Sequence, residues 1–400
     1  MSGARLAFIA PMVLVAYTYV GYPLLLWIAT RLRPRDPRKA AALPSVSIII
    51  AARNEADKIR RKIERSLALD YPSERLEIIV ASDASDDGTD DIVREYAGRG
   101  VRLVRAPQRK GKEHAQGLAL AAARGDVIVM TDAATLLETG ALRSLVQNFA
   151  DPSIGAVSSE DLLVDDAGNP TAEGVYVKYE MWVRRLESRF HSLVGLSGSC
   201  FAIRRELCSR WPDHLASDFM SALHAARAGY RAVADPSARG RFVAVTSTQA
   251  EMRRKVRTFL RGITVLMANL DLLRPLRYGR FAFQLASHKL LRFLAPLLLL
   301  VALIASGLGF YLKDPLLQAL FVGQGLFYGG SLAGGRLGFL QRYAIVRAAH
   351  FFTVVQWAML IAWGKYALGQ QQTTWEPSKR PELTPAVVPH GRGSRGENVL

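Results

Sequence analysis

Three stretches without a single charged residue, Leu6–Thr30, Phe293–Leu312 and Pro315–Gly335, constrain this chain more than anything else in it. Each reaches the ~20 residues that an α-helix needs to cross a hydrocarbon core at about 1.5 Å per residue. Inside lipid a backbone must satisfy its own hydrogen bonds, so such runs become helices. Ala348–Gly364 is a shorter fourth candidate, extended by Lys365 and Tyr366, which can snorkel. The first run is too long for a cleaved signal and lacks an Ala-x-Ala end, so it reads as an uncleaved anchor.

Charge orients these segments. Arg31, Arg33, Arg35, Arg38 and Lys39 follow the anchor directly and mark the cytoplasmic side. The residues between Arg31 and Arg292 are therefore expected to face the cytoplasm from a multi-pass protein of the cell (inner) membrane. Lys and Arg number 52 against 35 Asp and Glu, a net charge of +17. Much of that excess flanks membrane segments, where it meets anionic lipid. No zinc spacing or aromatic ribonucleoprotein motif accompanies it, so nucleic acid is not an expected partner. Hydrophobic residues at 50% exclude a disordered chain. Cys200 and Cys208, in a reducing compartment, read as ordinary small buried residues. Four full spans would put both termini outside, whereas Arg336, Arg342, Arg347 and the basic tail at Trp375–Arg380 argue for the cytoplasm. Both hold only if one apolar segment is interfacial or re-entrant.

Between the membrane segments, strand and helix alternate. Val46–Ala51, Leu76–Ala81, Val101–Val104, Asp126–Met130 and Ile154–Val157 read as strands, the first a continuous apolar run typical of a buried parallel strand. Helices separate them, the first with Asn54 as its cap and Ile59, Ile63 and Leu67 on one face. Short connections between alternating elements indicate an open α/β sheet, whose ligands bind beyond the carboxyl ends of the strands. That nominates Arg53–Glu55, Ser82–Gly88 and Thr131–Thr135. An acid follows each of three strands there: Glu55 after the first, Asp83 after the second and Asp132 after the fourth. At one sheet edge they repel one another unless a cation or hydrogen-bond donors compensate. From Asp165 the pattern loosens, and Glu251–Leu273 mixes a basic set with an apolar stripe suited to a membrane interface.

The segments VSIIIAARNEADKI, IIVASDASDDGTDDIV and RKGKEHAQGLALAAARGDVIVMTDAAT resemble, in order and spacing, the successive motifs of family 2 glycosyltransferases. Membrane-anchored members include the synthases of cellulose, chitin, hyaluronan and poly-N-acetylglucosamine. The resemblance covers roughly residues 44–260. It implies a GT-A fold, an α/β nucleotide-diphospho-sugar transferase domain, with transmembrane helices at both ends.

Carried over residue by residue, it places Arg53, Glu55 and Asp83 at the uridine end of a UDP-sugar, with Asp87 shaping the same loop. Lys112 matches a lysine of the nucleotide pocket, and Asp132 the first acid of the metal-holding Asp-x-Asp. The motif here is Asp132-Ala133-Ala134, so a divalent metal, Mg2+ or Mn2+, would be held by one carboxylate and diphosphate oxygens. Asp218 matches the catalytic base, with Ser217 in place of its acidic neighbour, and a helix N-cap is its alternative reading. Gly198 and Ser199 match an acceptor-proximal segment. Arg254 keeps the arginine of a Gln-x-x-Arg-Trp motif whose Gln and Trp are absent, which argues against long-chain polymerisation.

The expected organisation is an anchor at 1–31, a basic linker at 32–43, the GT-A domain at 44–250, basic amphipathic interface helices at 251–292, transmembrane helices at 293–368 and a flexible tail at 369–400. The expected activity is inverting, metal-assisted transfer from a UDP-sugar to a polysaccharide or lipid-linked acceptor, in contact with membrane lipid and polysaccharide-assembly proteins. The alternative is a catalytically impaired scaffold subunit of a polysaccharide export complex.

Overall fold

The computed structural model describes residues 3–164, 174–211, 213–243 and 248–370. The expected tail beyond Gln370, including Trp375–Arg380, lies outside the described residues.

Helix α1 (Gly3–Ala16) continues through a π-helical turn at Tyr17–Gly21 into α2 (Tyr22–Leu32). Strands β1 (Val46–Ala52), β2 (Leu76–Ser82), β3 (Val101–Arg105), β4 (Val127–Asp132), β5 (Leu136–Leu137), β6 (Ile154–Val164), β7 (Cys200–Arg204) and β8 (Arg231–Val243) form one sheet. Their order is β3-β2-β1-β4-β7-β6-β8-β5. The first four are parallel, with Ala52 opposite Ser82 and Ala51 opposite Asp132, so their carboxyl ends coincide. Beyond β4 the sheet turns mixed: β7 runs antiparallel to both β4 and β6, β8 is parallel to β6, and the short β5 is antiparallel to β8. The alternating signal predicts the parallel half and β6, and misses β5, β7 and β8. Strand β6 runs to Val164 rather than Val157, because Glu160 and Asp161 interrupt its apolar pattern without ending its pairing.

Helices α3 (Ala56–Leu67), α4 (Thr89–Arg94), α5 (Lys112–Ala122), α6 (Ala141–Gln147), α7 (Gly174–Phe190) and α8 (Ser217–Arg227) accompany the sheet. Alternate residues of β1 serve opposite faces: Val46, Ile48 and Ile50 pack with Ile59 and Ile63 of α3, and Ile49 with Ala115 and Ala119 of α5. Each fully buried isoleucine contributes about 1.5–3 kcal/mol. Cys200 and Cys208 are buried free thiols, as the sequence predicts.

The chain ends in α9 (Thr248–Met267), α10 (Pro275–Gln284), α11 (Leu291–Tyr311), α12 (Pro315–Arg336) and α13 (Ala344–Ala367). Four helical stretches, Gly3–Leu32, Pro275–Tyr311, Pro315–Arg336 and Ala344–Ala367, are long and apolar enough to cross a membrane. Arg5 clamps Asp314 through two hydrogen bonds of 2.8 and 3.1 Å, joining the start of the first to the end of the second. Between them Phe8 meets Ala302 and Ala305, and Val15 meets Ala295 and Leu299. The second stretch begins earlier than the charge-free run and carries paired polar residues within it: Arg292 with Glu180, and His288 Nδ1 with Glu187 Oε1 at 2.7 Å. Helix α2 leaves the apolar bundle, packing Tyr22 and Leu26 on Val183 and Leu186 of α7. Helix α13 lies along α9, burying Val355, Met359 and Ala362 with Leu260 and Ile263. Lys255 sits 5.0 Å over the Phe351 ring, and Trp363 Nε1 donates to the Phe293 carbonyl at 2.8 Å.

Candidate active site

The three nominated loops meet at the carboxyl edge of β1, β2 and β4, and the chain itself supplies the compensation that their carboxylates need. Glu55, 3% exposed, faces Lys58 Nζ at 3.2 Å. Burial pushes its pKa up, against the pull of Lys58. Asp83, 1% exposed, accepts the backbone amides of Lys110 at 2.9 Å and Gly111 at 3.0 Å, and so pins the loop that leads to Lys112. Asp132 pairs with the Lys112 ammonium.

Asn54 is not the helix cap that its sequence position suggests. The N-cap position is Glu55, with no side-chain cap bond, while Asn54 adopts φ 52° and Ala84 φ 55°. Asparagine tolerates that left-handed backbone. It spends its amide on Asp86: Nδ2 donates to Oδ1 at 2.7 Å, and Asp86 N donates to Asn54 Oδ1 at 3.1 Å. Arg53 joins the same loop through Asp86 Oδ2 at 3.0 Å and the Ala84 carbonyl. Asp87 accepts from the amides of Ala56 and Thr89, both at 3.0 Å, the shaping role expected of it. Burial opposes its charge, yet these hydrogen bonds lower its pKa.

Lys112 is the hub. Its Nζ bridges Asp132 and the Gly198 carbonyl, the latter at 3.2 Å. Burial works against its charge, but Asp132, then Glu113 and Asp218, hold its pKa above the ordinary lysine value. Asp218 is the second residue of α8, and its backbone carbonyl accepts from Leu196 N at 3.2 Å. It does not occupy the N-cap position, which is Ala216. Asp218 Oδ2 lies 3.1 Å from where a Cβ on Gly198 would stand, so a side chain there would crowd the carboxylate. Lys112, Asp132, Gly198, Ser199 and Asp218 thus share one cleft, with Ser199 O accepting from Asp132 N at 3.1 Å.

Two supports escape sequence reasoning. Asp161 gathers Ser197 and Ser199, accepting their hydroxyls at 2.6 Å each. Burial raises its pKa despite Arg184 and the serine donors. An acidic pair inside a strand, Glu160 and Asp161, carries no motif. Lys62, 1% exposed, donates to Thr131 Oγ1 at 2.9 Å and Thr135 O at 2.5 Å, beneath the turn that carries Asp132.

Arg254 forms a two-pronged pair with Glu251 on its own helix at 2.6 and 2.7 Å. One heptad on, Arg261 reaches Glu113, the neighbour of Lys112, and ties α9 to the pocket. Their seven-residue spacing on a basic helix was the available signal.

Among the described residues no group of three His, Cys, Asp or Glu side chains forms a metal site by itself. Asp132, with 28% of its side chain accessible and its contact to Lys112 made through Oδ1, fits a metal whose other ligands come from a diphosphate.

Residues 47–211 match the model of Glycosyl transferase family 2. The chain is 30% identical to "Probable glycosyltransferase YdaM" of Bacillus subtilis over 49% of this chain and 50% of that protein. It is 30% identical to "Beta-monoglucosyldiacylglycerol synthase" of Synechocystis sp. over 35% of this chain and 32% of that one. The matched region thus spans half or less of these curated relatives. A solved structure, "Mannosyltransferase PcManGT from Pyrobaculum calidifontis in complex with GDP-Man and Mn2+", superposes with a TM-score of 0.68 at 26% identity. It covers 91% of this chain and 100% of that one.

Proposed function

We propose, from a chain that carries a Glycosyl transferase family 2 domain in a GT-A fold, that this protein transfers a sugar from a nucleotide-sugar to an acceptor at the membrane. The observation that carries this reading is the Lys112 bridge between Asp132 and Gly198, with the Asp218 carboxylate against Gly198. One cleft then holds a cation for a leaving diphosphate and a base for an incoming hydroxyl. The same retained cluster favours catalysis over a scaffold.

Glu55 and Asp83 form the floor of the nucleotide end, beside Arg53. Asp132 holds a divalent metal, Mg2+ or Mn2+, which when bound neutralises diphosphate charge. Lys112 adds its ammonium to the same charge, where it develops as the bond to the sugar breaks. Asp218 takes the acceptor proton while the hydroxyl attacks the anomeric carbon from the face opposite the diphosphate. One displacement inverts the anomeric configuration. Gly198 leaves room beside Asp218, and Ser199 is held at the acceptor side by Asp161. Arg254 is a further cation for the diphosphate, on a helix that Arg261 ties to the pocket.

The resemblance of Glu55 and Asp83 to uridine contacts supports a UDP-sugar donor. A second reading, a guanosine nucleotide donor, draws support from the neighbour solved with GDP-Man. Loss of the Gln and Trp of Gln-x-x-Arg-Trp supports single transfer to a lipid-linked acceptor.

The catalytic face lies on the cytoplasmic side of the cell membrane, and α13 is an interfacial helix rather than a fourth span. Its Phe351 meets Lys255, and its Trp363 meets Phe293, the residue after the paired Arg292. Contacts about 18 Å apart along its axis, one with α9 and one with the start of α11, support a helix that lies along the membrane surface.

Incubating membranes that contain the protein with labelled UDP- and GDP-sugars tests this reading. The expected result is one labelled glycolipid, absent with Asp218→Asn. No transfer from any nucleotide-sugar, with nucleotide still bound, returns the scaffold reading.

A further inference from the structure

Lys289, just before α11, packs its ammonium over the Phe219 ring without a hydrogen bond or ion pair among the described residues. Its neighbours have partners: Arg292 has Glu180, His288 has Glu187, and Arg184 Nη2 donates to Ser158 Oγ at 2.7 Å and to the Gly195 carbonyl at 3.1 Å. Glu180 and Glu187 attract Lys289 from beyond hydrogen-bond range. Among the described residues its ammonium has no hydrogen-bond or ion-pair acceptor. It stands 5.3 Å from the Phe219 ring centroid and 3.3 Å from where a Cβ on Gly195 would be.

Both of those landmarks belong to the wall of the active site. Phe219 follows Asp218, and the Gly195–Gly198 segment that passes Lys289 at one end meets the Asp218 carboxylate at the other. On its other side Lys289 stands just before Leu291, where α11 enters the apolar bundle. A half-buried ammonium placed between a catalytic carboxylate and the start of a membrane helix suits an anion at the base of a lipid headgroup.

We propose that Lys289 holds the phosphate of an anionic lipid acceptor, a lipid whose phosphate stands between its apolar chains and the hydroxyl that receives the sugar. This deepens the glycosyltransferase reading and rests on it. In the transfer the acceptor oxygen bonds to the anomeric carbon and its proton passes to Asp218. The anomeric carbon–oxygen bond of the donor breaks, and the electron pair leaves with the nucleoside diphosphate.

The test uses the full chain in nanodiscs of phosphatidylcholine containing either phosphatidylglycerol, which has a phosphate and free hydroxyls, or diacylglycerol, which has a hydroxyl alone. Lipid retention is read by native mass spectrometry, and nucleotide binding by calorimetry on the same preparation. Preferential retention of phosphatidylglycerol is expected, weakened ~10–100-fold by Lys289→Gln and kept by Lys289→Arg, with nucleotide affinity unchanged. If Lys289→Gln does not fold, Gly195→Ala, which crowds the ammonium, is expected to weaken the same lipid. Equal retention of the two lipids, an indifferent Lys289→Gln, or displacement of the lipid by inorganic phosphate at equal concentration overturns the proposal. A protein that retains phosphatidylglycerol but binds no nucleotide overturns the glycosyltransferase reading beneath it instead.

Discussion

Lys112 and Asp132 form an ion pair across the cleft, and the same ammonium reaches the Gly198 carbonyl at 3.2 Å. The pair joins the start of α5 to the end of β4, so this end of the cleft carries its own cation. With one carboxylate, already shared with Lys112, Mn2+ is expected to bind weakly to the nucleotide-free protein and more tightly once UDP or GDP adds oxygens. Calorimetry of Mn2+ with and without nucleotide checks this. Tight binding without nucleotide, indifferent to Asp132→Ala, contradicts it.

Asp218→Asn keeps the size of the side chain but cannot accept a proton at neutral pH. Turnover is expected to fall ~10²–10⁴-fold while nucleotide affinity changes little. Measuring turnover, thermal stability and nucleotide binding on one preparation separates this from misfolding. Transfer at the parent rate removes Asp218 from the mechanism.

Burial lowers the pKa of Lys62 from 10.5 to about 8, against the attraction of Cys200 and Asp132. Between those two values the unfolded chain binds more protons than the folded one, so stability rises with pH across that window. The penalty is fully present below about 8 and amounts to about 3 kcal/mol. Relative to Lys62→Met, the parent should therefore gain melting temperature from pH 8 to 10.5. A difference between the two proteins that stays flat with pH rejects the assignment.

Arg261 and Glu113 pair at 17% and 4% side-chain exposure, tying α9 to the helix that begins with Lys112. Arg261→Met strands a buried carboxylate, and a loss of about 3–5 kcal/mol is expected. Adding Glu113→Gln should recover most of it. Thermal unfolding of the two single variants and the double variant measures the coupling, and strict additivity rules the latch out.

If α13 lies in the interface, a cysteine at Leu368, 77% exposed, is labelled from the side of the catalytic domain. Cys200 and Cys208 are buried and give little background. Labelling confined to the opposite side restores a fourth span.

The long apolar helices, the parallel half of the sheet and the three carboxylates at its edge were legible because each leaves a local pattern: a charge-free stretch, an apolar run of strand length, an acid at the end of that run. Lys112, Asp132, Gly198 and Asp218 could be named one at a time for the same reason. What joins them is not local. Asp83 binds the amides of Lys110 and Gly111, Asp161 gathers Ser197 and Ser199, and Lys62 hangs beneath the turn of Asp132. Such buried polar contacts depend on distances between strands that have no fixed sequence separation. Asp161 beside Glu160, or Lys62 beside Arg61, therefore reads as an ordinary charged residue until the fold takes it out of water. The apolar content of α13 likewise says that it avoids water, since a helix of that composition and length is equally suited to crossing a bilayer or lying on it. Its packing along α9, which buries Val355 and Met359, is a tertiary contact that no local pattern announces.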